Sequence, residues 1–408
     1  MKEKTCIIVG GSHAAAQLAP SLRQEGWKGH ILIVGDEPFL PYHRPPLSKD
    51  FLTGKKGMDE LLIRQPAIYE KTDIHFTLGV RVESINRENK TLTLDNGESL
   101  HYDKLALTTG SRVRKLPLAG VELPGVFYMR TISDVEQIKG FVGAGKKAVI
   151  VGGGYIGLET AASLRQQGMQ VTILEMMPRI LQRVTTPELS EFFTRVHTEE
   201  GVQIHTEVTV KALAGNQHVE HVICDDGTEI EADLVIIGAG VLPNMELAAE
   251  AGLAVDNGIL VDEQARTSDS DIVAAGDCTV HHNPIYDRLI RLESVQNAVD
   301  QAKIAAATLC GKPKTYHALP WFWSDQYDLK LQIAGLSQGH DEVVIRGNIE
   351  SSRSFAVFYL KQGFVIAVDA VNKPQEFMLG KRLITDKIAV DKYRLVDTGV
   401  AMKELLQS

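Results

Sequence analysis

The chain has 408 residues, 44% hydrophobic and 23% charged, which is long enough for two or three domains with sizeable cores and ordinary for a globular protein. A formal net charge of −9 argues against nucleic acid or an anionic membrane as the main partner. Met1 to Thr5 leads into a strand with no apolar stretch of signal-peptide or membrane-span length, so a cytoplasmic location is expected. The four cysteines, Cys6, Cys224, Cys278 and Cys310, lie far apart and form no C-x-x-C pair. Disulfides, a zinc site, a protein-borne iron-sulfur cluster and a redox-active dithiol all lack their usual signature, and no metal site is expected.

The chain opens with the apolar strand Cys6-Ile-Ile-Val9, which meets Gly10-x-Ser12-x-x-Ala15 and runs into a helix ending at Gly26. Strand, tight turn and helix together make a cradle for a pyrophosphate: the backbone comes close, and the helix start offers free N–H groups and a positive dipole end. Ser12 and Ala15 stand where the motif ordinarily carries glycine. Alanine is tolerated at a position that only packs strand against helix, whereas Ser12 is a real departure. The next strand ends at Gly35, with Asp36 and Glu37 the nearest carboxylates for a ribose.

From Pro38 to Lys49 the chain is too proline-rich for regular helix before Pro46, and Leu47 to Leu52 then reads as a short helix start presenting Arg44 and Lys49. It is either an ordered loop carrying two functional cations or a solvated surface loop. Strand-like alternation fills residues 60–110, with a turn at Asp95-Asn-Gly97. The last of these strands enters Thr109-Gly110-Ser111, either a dinucleotide-contacting edge or a plain crossover turn.

The opening element then returns. Ala148-Val-Ile-Val-Gly152 parallels Cys6 to Gly10, and Ser163-Leu-Arg-Gln-Gln-Gly168 parallels Ser21-Leu-Arg-Gln-Glu-Gly26. Here the motif is complete, Gly152-x-Gly154-x-x-Gly157, with Ile156 inside it and Leu158-Glu159 opening the helix. A second strand, Val171 to Leu174, ends in Glu175, near the spacing at which a carboxylate accepts hydrogen bonds from an adenosine ribose. Glu175 would repel a 2′-phosphate, so NADH is favoured over NADPH. Two units in one chain suggest two dinucleotides, one held permanently and one exchanging.

Residues 202–237 read as a β-meander that closes on Leu234-Val-Ile-Ile-Gly238-Ala-Gly240. Asp271-Ile-Val-Ala-Ala-Gly276-Asp277 is a buried strand ending in a carboxylate, fit for a sugar-alcohol chain or else a turn aspartate. Residues 294–309 form a strong helix with Ser294 as N-cap and Val295 at its start, a place to stabilise negative charge. Beyond Pro320 the pattern changes to short alternating strands and one helix near residues 375–386. The expected fold is α/β, two Rossmann-like dinucleotide-binding domains, the second inserted in the first, plus a C-terminal α+β domain with an antiparallel sheet.

Two tandem units, Thr109-Gly110 and Gly276-Asp277 resemble the flavoprotein family with two dinucleotide-binding domains, which includes the glutathione-reductase-like enzymes. Pro45-Pro-Leu-Ser-Lys49, Gly152 to Glu159, Gly276-Asp277-Cys278, Glu293-Ser-Val-Gln-Asn297 and Pro320-Trp-Phe-Trp-Ser-Asp-Gln-Tyr327 narrow the resemblance to NADH-dependent ferredoxin and rubredoxin reductases serving bacterial oxygenases and cytochromes P450. The resemblance covers essentially the whole chain. It implies FAD as the permanent dinucleotide and NADH as the exchanging one, with residues 1–113 and 241–319 as the FAD domain, 114–240 as the NAD domain and 320–408 as an interface domain. It places Gly10, Ser12, Ala15, Asp36, Arg44, Lys49, Thr109, Gly110, Asp277, Val295 and Trp323 at FAD, with Arg44 near the pyrophosphate and Asp277 on the ribityl chain. Gly152, Gly154, Ile156, Gly157, Glu159, Glu175, Gly238 and Gly240 fall to NAD, and Lys49 and Glu159 pair beside flavin N5 as the catalytic residues.

A 2Fe-2S ferredoxin or rubredoxin is then the implied partner, with Arg64, Lys303 and Trp321 as docking candidates, because an acidic carrier prefers cations around an apolar centre. These side chains could equally be solvated cations and a core tryptophan. An NADH oxidase, peroxidase or disulfide reductase of the same fold would need a cysteine after the first unit's second strand, where Pro41-Tyr42-His43 and their neighbours have none. A non-catalytic NADH-sensing flavoprotein is the third reading; the targeting segment and basic run that would favour it are missing from the sequence.

Overall fold

The computed structural model describes residues 4–312 and 314–406. The residues before Lys4, on which the expectation about the start of the chain partly rests, lie outside them. The chain divides into two compact units. One holds the chain up to His43 with Asp59–Arg112 and Leu242–Phe322; the other holds Arg44–Met58, Val113–Val241 and the chain from Trp323 onward.

In the first unit, five parallel strands lie in the order Ile272–Ala274, Lys104–Leu107, Thr5–Val9, His30–Gly35, His75–Leu78. The near-continuous apolar runs follow from burial of a parallel sheet on both faces. Helices His13–Glu25 and Val295–Leu309 cover one face, where Ala14, Ala15, Ala19, Ala298, Ala302, Ala305 and Ala306 form an alanine-rich core. Small side chains on both helices shorten the distance at which they pack. The opposite face carries the meander Val82–Asn86, Thr91–Leu94, Ser99–His101, whose Leu92 and Leu94 are buried against Leu105 and Leu107.

The second unit repeats that order: Gln203–Thr206, Gln170–Glu175, Lys147–Val151, Leu234–Ile237, Val126–Tyr128, all parallel. The first sheet takes its fifth strand, Ile272–Ala274, from beyond the second unit's sequence, whereas the second sheet takes Val126–Tyr128 from within its own stretch, ahead of the glycine motif. That is the insertion of one dinucleotide-binding domain in another. The same unit carries a five-stranded antiparallel sheet in the order Trp321–Gln326, Leu329–Gly335, Phe364–Val371, Phe355–Lys361, Glu342–Arg346. Helix Pro374–Thr385 lies on it, and Gly380 allows the close approach, since a Cβ there would sit 2.2 Å from Val368 Cγ1. Asp369 on this sheet is buried; burial raises its carboxyl to about 6, against bonds from Tyr359 Oη at 2.7 Å and Thr185 Oγ1 at 3.2 Å.

The aromatic segment read only as a sequence signature is a strand, and helices Ile132–Lys139 and Pro187–Glu199 were not among the expected elements. Among the described residues no helix is long and apolar enough to cross a membrane.

Candidate functional site

In the unit that contains it, Gly152 is the pivot of the complete glycine motif. Its φ of +114° is strained for any side chain, and a Cβ would lie 2.4 Å from the carbonyl oxygen of Gly238. Its N–H donates to Leu174 O at 2.8 Å, while Gly238 N–H donates to Val151 O at 2.7 Å. Gly157 packs so tightly that a Cβ would stand 2.3 Å from Gly152 O. Gly154, the N-cap of helix Tyr155–Gln166, makes no side-chain cap and has open space where a Cβ would be. Uncapped helix N–H groups facing open space fit a dinucleotide pyrophosphate. Ile156 is exposed on the first turn, and Gly240 has φ +88° beside the Arg183 guanidinium.

Glu175 ends the adjacent strand as the sequence suggested. Its Oε2 accepts from Gly153 N–H at 2.7 Å and its Oε1 from Met177 N–H at 2.8 Å. The carboxylate is oriented by backbone before any ligand arrives.

One turn further along the helix, Glu159 is buried, 5% exposed. Lys49 Nζ donates to its Oε2 at 2.5 Å and Ser48 Oγ donates to the same oxygen at 2.6 Å. Ser324 Oγ donates to Oε1 at 2.7 Å. Neighbouring residues on a continuous helix point in different directions, whereas Ser48 and Lys49 converge on one carboxylate oxygen. The chain instead makes a 3-10 turn over Pro45–Ser48 and leaves helical geometry at Lys49, φ −131° and ψ −109°. The short helix start expected for Leu47 to Leu52 is thus confined to that turn. Ser163 Oγ ties it down by donating to Ser48 O at 2.7 Å. Arg44, the residue before the turn, donates to Arg130 O at 2.8 Å. Trp323 is half-buried.

In the other unit, Gly10 repeats the pivot with φ +106° and a virtual Cβ 2.2 Å from Thr108 O. Ser12 is the N-cap of helix His13–Glu25 without a side-chain cap bond, and Ala15 is fully buried. Asp36 is exposed and 3.3 Å from Arg81 Nη2. Thr109 Oγ1 donates to Asn244 O at 2.6 Å and Asn244 Nδ2 returns a bond to Thr109 O at 2.8 Å, leaving Gly110 with open space where a Cβ would be. Asp277 Oδ2 accepts from Ser111 Oγ at 2.8 Å. The turn before Asp277 is gripped by Gln301, whose Oε1 accepts from Gly276 N–H at 2.9 Å. Ser294 Oγ accepts from Asn297 N–H at 3.1 Å, which starts the helix at Val295. The glycine turn, the open space at Gly110 and the helix start at Val295 fit a second dinucleotide.

Of the docking candidates, Arg64 donates to Ala16 O and Gln17 Oε1, Lys303 pairs with Asp300 at 3.0 Å, and Trp321 N–H donates to Gln296 Oε1 at 3.2 Å. All four cysteines are unpaired, and burial is the main force pushing each thiol up, which keeps them protonated. Among the described residues no group of His, Cys, Asp or Glu could hold a metal ion.

The sequence reading did not include Ser48, Ser324, Asn244 or Gln301 among the site residues, and held Ser111 only as the end of the Thr109-Gly110-Ser111 edge. For Ser48 and Ser324 a signal existed, since each lies inside a motif that carried the resemblance, beside a residue that was chosen.

Residues 4–302 match the family described as pyridine nucleotide-disulphide oxidoreductase, and residues 321–406 match the one described as reductase C-terminal. The chain is 45% identical over 406 residues to putidaredoxin reductase CamA of Pseudomonas putida, covering 98% of this chain and 96% of that protein. It is 42% identical to the 5,5'-dehydrodivanillate O-demethylase ferredoxin reductase subunit of a Sphingobium species, covering 98% of each. Among solved structures, the reductase in the covalent putidaredoxin reductase-putidaredoxin complex superposes with a TM-score of 0.96 at 44% identity, covering 99% of this chain and 98% of that one. With two glycine-pivoted sheets, a buried lysine-glutamate pair and an antiparallel C-terminal sheet, this chain belongs to the pyridine nucleotide-disulphide oxidoreductase family.

Proposed function

We propose that the protein is an FAD-dependent reductase that oxidises NADH and passes electrons singly to a 2Fe-2S ferredoxin or a rubredoxin feeding an oxygenase or cytochrome P450. The observation that carries the reading is the buried Glu159 carboxylate, held by Lys49, Ser48 and Ser324 one turn inside the helix whose start is open to a pyrophosphate. FAD, when bound, accepts a hydride's two electrons at once and releases them one at a time.

The protein's own residues supply positioning. Hydride transfer needs alignment and a dry pocket more than proton transfer. Gly152 and Gly154 give the NADH pyrophosphate backbone to bind, Gly157 packs the helix beneath them, and Glu175 offers a pre-aimed acceptor to the ribose. Gly238, Gly240 and Ile156 bound the same pocket. Lys49 and Glu159 orient the nicotinamide ring. In the FAD domain Gly10 and Ser12 would meet the pyrophosphate, Asp36 the adenosine ribose and Asp277 the ribityl chain, with Ala15 packing behind; Arg44 is the candidate cation for the same pyrophosphate. Thr109 and Gly110 would contact the flavin, Trp323 is a further candidate for it, and the helix start at Val295 would offset negative charge on the ring. The domain division is 1–113 with 241–319, 114–240, and 320–408, and the compartment is the cytoplasm, which suits four unpaired thiols.

Anaerobic titration of the yellow protein with NADH, followed by cytochrome c reduction with and without a 2Fe-2S ferredoxin, tests this. Strong ferredoxin dependence, with NADH far better than NADPH, is expected. Fast NADH consumption with oxygen or peroxide and no ferredoxin effect would move the protein to the oxidases and peroxidases.

A further inference from the structure

Glu159 is the inner end of a longer line of buried side chains, all within one unit. Ser324 Oγ lies 2.7 Å from Glu159 Oε1, Gln326 Nε2 lies 3.1 Å from Ser324 Oγ, and His197 Nε2 lies 2.8 Å from Gln326 Oε1. Tyr327 Oη lies 3.4 Å from His197 Nδ1. Ser324, Gln326 and His197 are at most 2% exposed. Ser324 and Gln326 alternate along strand Trp321–Gln326 and therefore share its face, while His197 comes from the last turn of helix Pro187–Glu199.

The acceptor-only carboxylate fixes every hydrogen in this line. Ser324 has one proton and must give it to Glu159. Gln326 must then present its amide N–H to Ser324 and its carbonyl to His197. His197 must carry its proton on Nε2, which leaves Nδ1 to accept from Tyr327. Burial presses His197 down to about 4, against the Gln326 bond and Glu200, so the ring is neutral as the pattern requires. Every donor points the same way, toward Glu159, and such chains strengthen one another. The outer end is moored: Arg353 pairs with Asp328, beside Tyr327, and with Glu199 and Glu200 at the end of the helix that bears His197.

We infer that Ser324, Gln326 and His197 are positioning residues that hold the Glu159 carboxylate in one orientation for the nicotinamide step. A proton wire is the competing use of such a line, but a carboxamide neither gains nor loses a proton near neutral pH, so Gln326 breaks conduction while preserving direction. Glu159 Oε2 is already held by Lys49 and Ser48, and among the described residues Ser324 is the side-chain donor to Oε1. Without it one carboxylate oxygen loses its donor, and the tilt of the group about its bond to the side chain rests on the Oε2 contacts alone. The inference rests on the role proposed above for Glu159.

The test uses the FAD-loaded protein in anaerobic stopped flow, reading the limiting rate of flavin reduction and the NADH dissociation constant together. Ser324→Ala and Gln326→Met are each expected to slow the limiting rate roughly tenfold, with the dissociation constant unchanged. Ser324→Thr, which keeps the hydroxyl, should recover most of the loss. Because the residues act in series, the double variant should be no slower than Ser324→Ala alone. Losses that multiply in the double variant, or a wild-type rate in Ser324→Ala while Glu159→Gln is slow, would overturn the relay and leave the site reading standing. A wild-type rate in Glu159→Gln would overturn both. A second readout needs no turnover: nitrogen NMR of the imidazole rings, with His197→Gln used to assign the signal, should show His197 neutral with its proton on Nε2, and a proton on Nδ1 would sink the inference.

Discussion

The two dinucleotide-binding units have the same strand order and the same pivot, yet they differ in how they present an acid. In one, Glu175 ends its strand and is pinned by the N–H groups of Gly153 and Met177. In the other, the matching position is Gly35, whose virtual Cβ would be 3.6 Å from Gly11 Cα, and Asp36 stands one residue later on an exposed loop beside Arg81. The positions that fold the motif repeat, and the positions that choose the ligand do not. A pre-aimed acid suits a nucleotide that must bind and leave many times, whereas a cofactor held permanently can rely on its many other contacts.

The strongest way to break the comparison is at the shared pivots. Gly10→Ala and Gly152→Ala each force a Cβ into a carbonyl at a positive φ, a cost of about 3 kcal/mol or more. Gly10→Ala should purify with little FAD, read from its visible absorbance. Gly152→Ala should keep FAD and lose its reduction by NADH.

Acid acts next on a buried histidine in each unit. His197 in one and His281 in the other are each held down to about 4, mainly by burial. Unfolding lets each take a proton near the ordinary histidine value, so their stability contribution is intact above pH 6.5 and falls as pH drops toward 4, by up to about 3 kcal/mol each. Asp369 runs the other way: neutral in the fold up to about 6, it gains relative stability on acidification from that pH toward 3.8. Asp369→Asn should therefore steepen the acid loss of the thermal midpoint between pH 6 and pH 4, and an unchanged slope would show that Asp369 ionises normally.

Lys49→Met should slow flavin reduction by NADH about a hundredfold, near 2.7 kcal/mol, because it leaves a buried carboxylate without its cation. An unchanged rate would remove Lys49 from the mechanism. The smallest effects sharpen the contrast between the acids. Glu175→Gln should narrow the preference for NADH over NADPH by about tenfold, measured as a ratio of kcat/KM values. Asp36→Asn, at an exposed pair worth less than about 1 kcal/mol, should leave that ratio alone.

Much of this was legible in the sequence because local chemistry dictates it. The strand, turn and helix at Gly152, the echo of it at Gly10 and the cap at Ser294 each need only a dozen neighbouring residues. The pairing of Lys49 with Glu159 came from resemblance, and the structure gives it a reason in the broken turn at Lys49. The rest depended on contacts between distant segments. Nothing near Ser324 announces that its hydroxyl meets a glutamate 165 positions away, and His197 reads as one more residue of an amphipathic helix. Strand Val126–Tyr128 escaped because three residues are too few for a periodic signal, and its neighbours Val235–Ile237 define it.

The bond from Ser324 to Glu159 also bears on how reductases of this kind could be recombined. Residue 321 is an obvious seam for a chimera, since the reductase C-terminal match begins there and the tail folds into its own sheet. Yet the tail's first strand brings the donor that steadies a carboxylate of the helix Tyr155–Gln166. Grafting another reductase's tail would exchange a hydrogen-bond donor to Glu159 along with the surface meant to be exchanged, unless positions 324 and 326 are carried across unchanged.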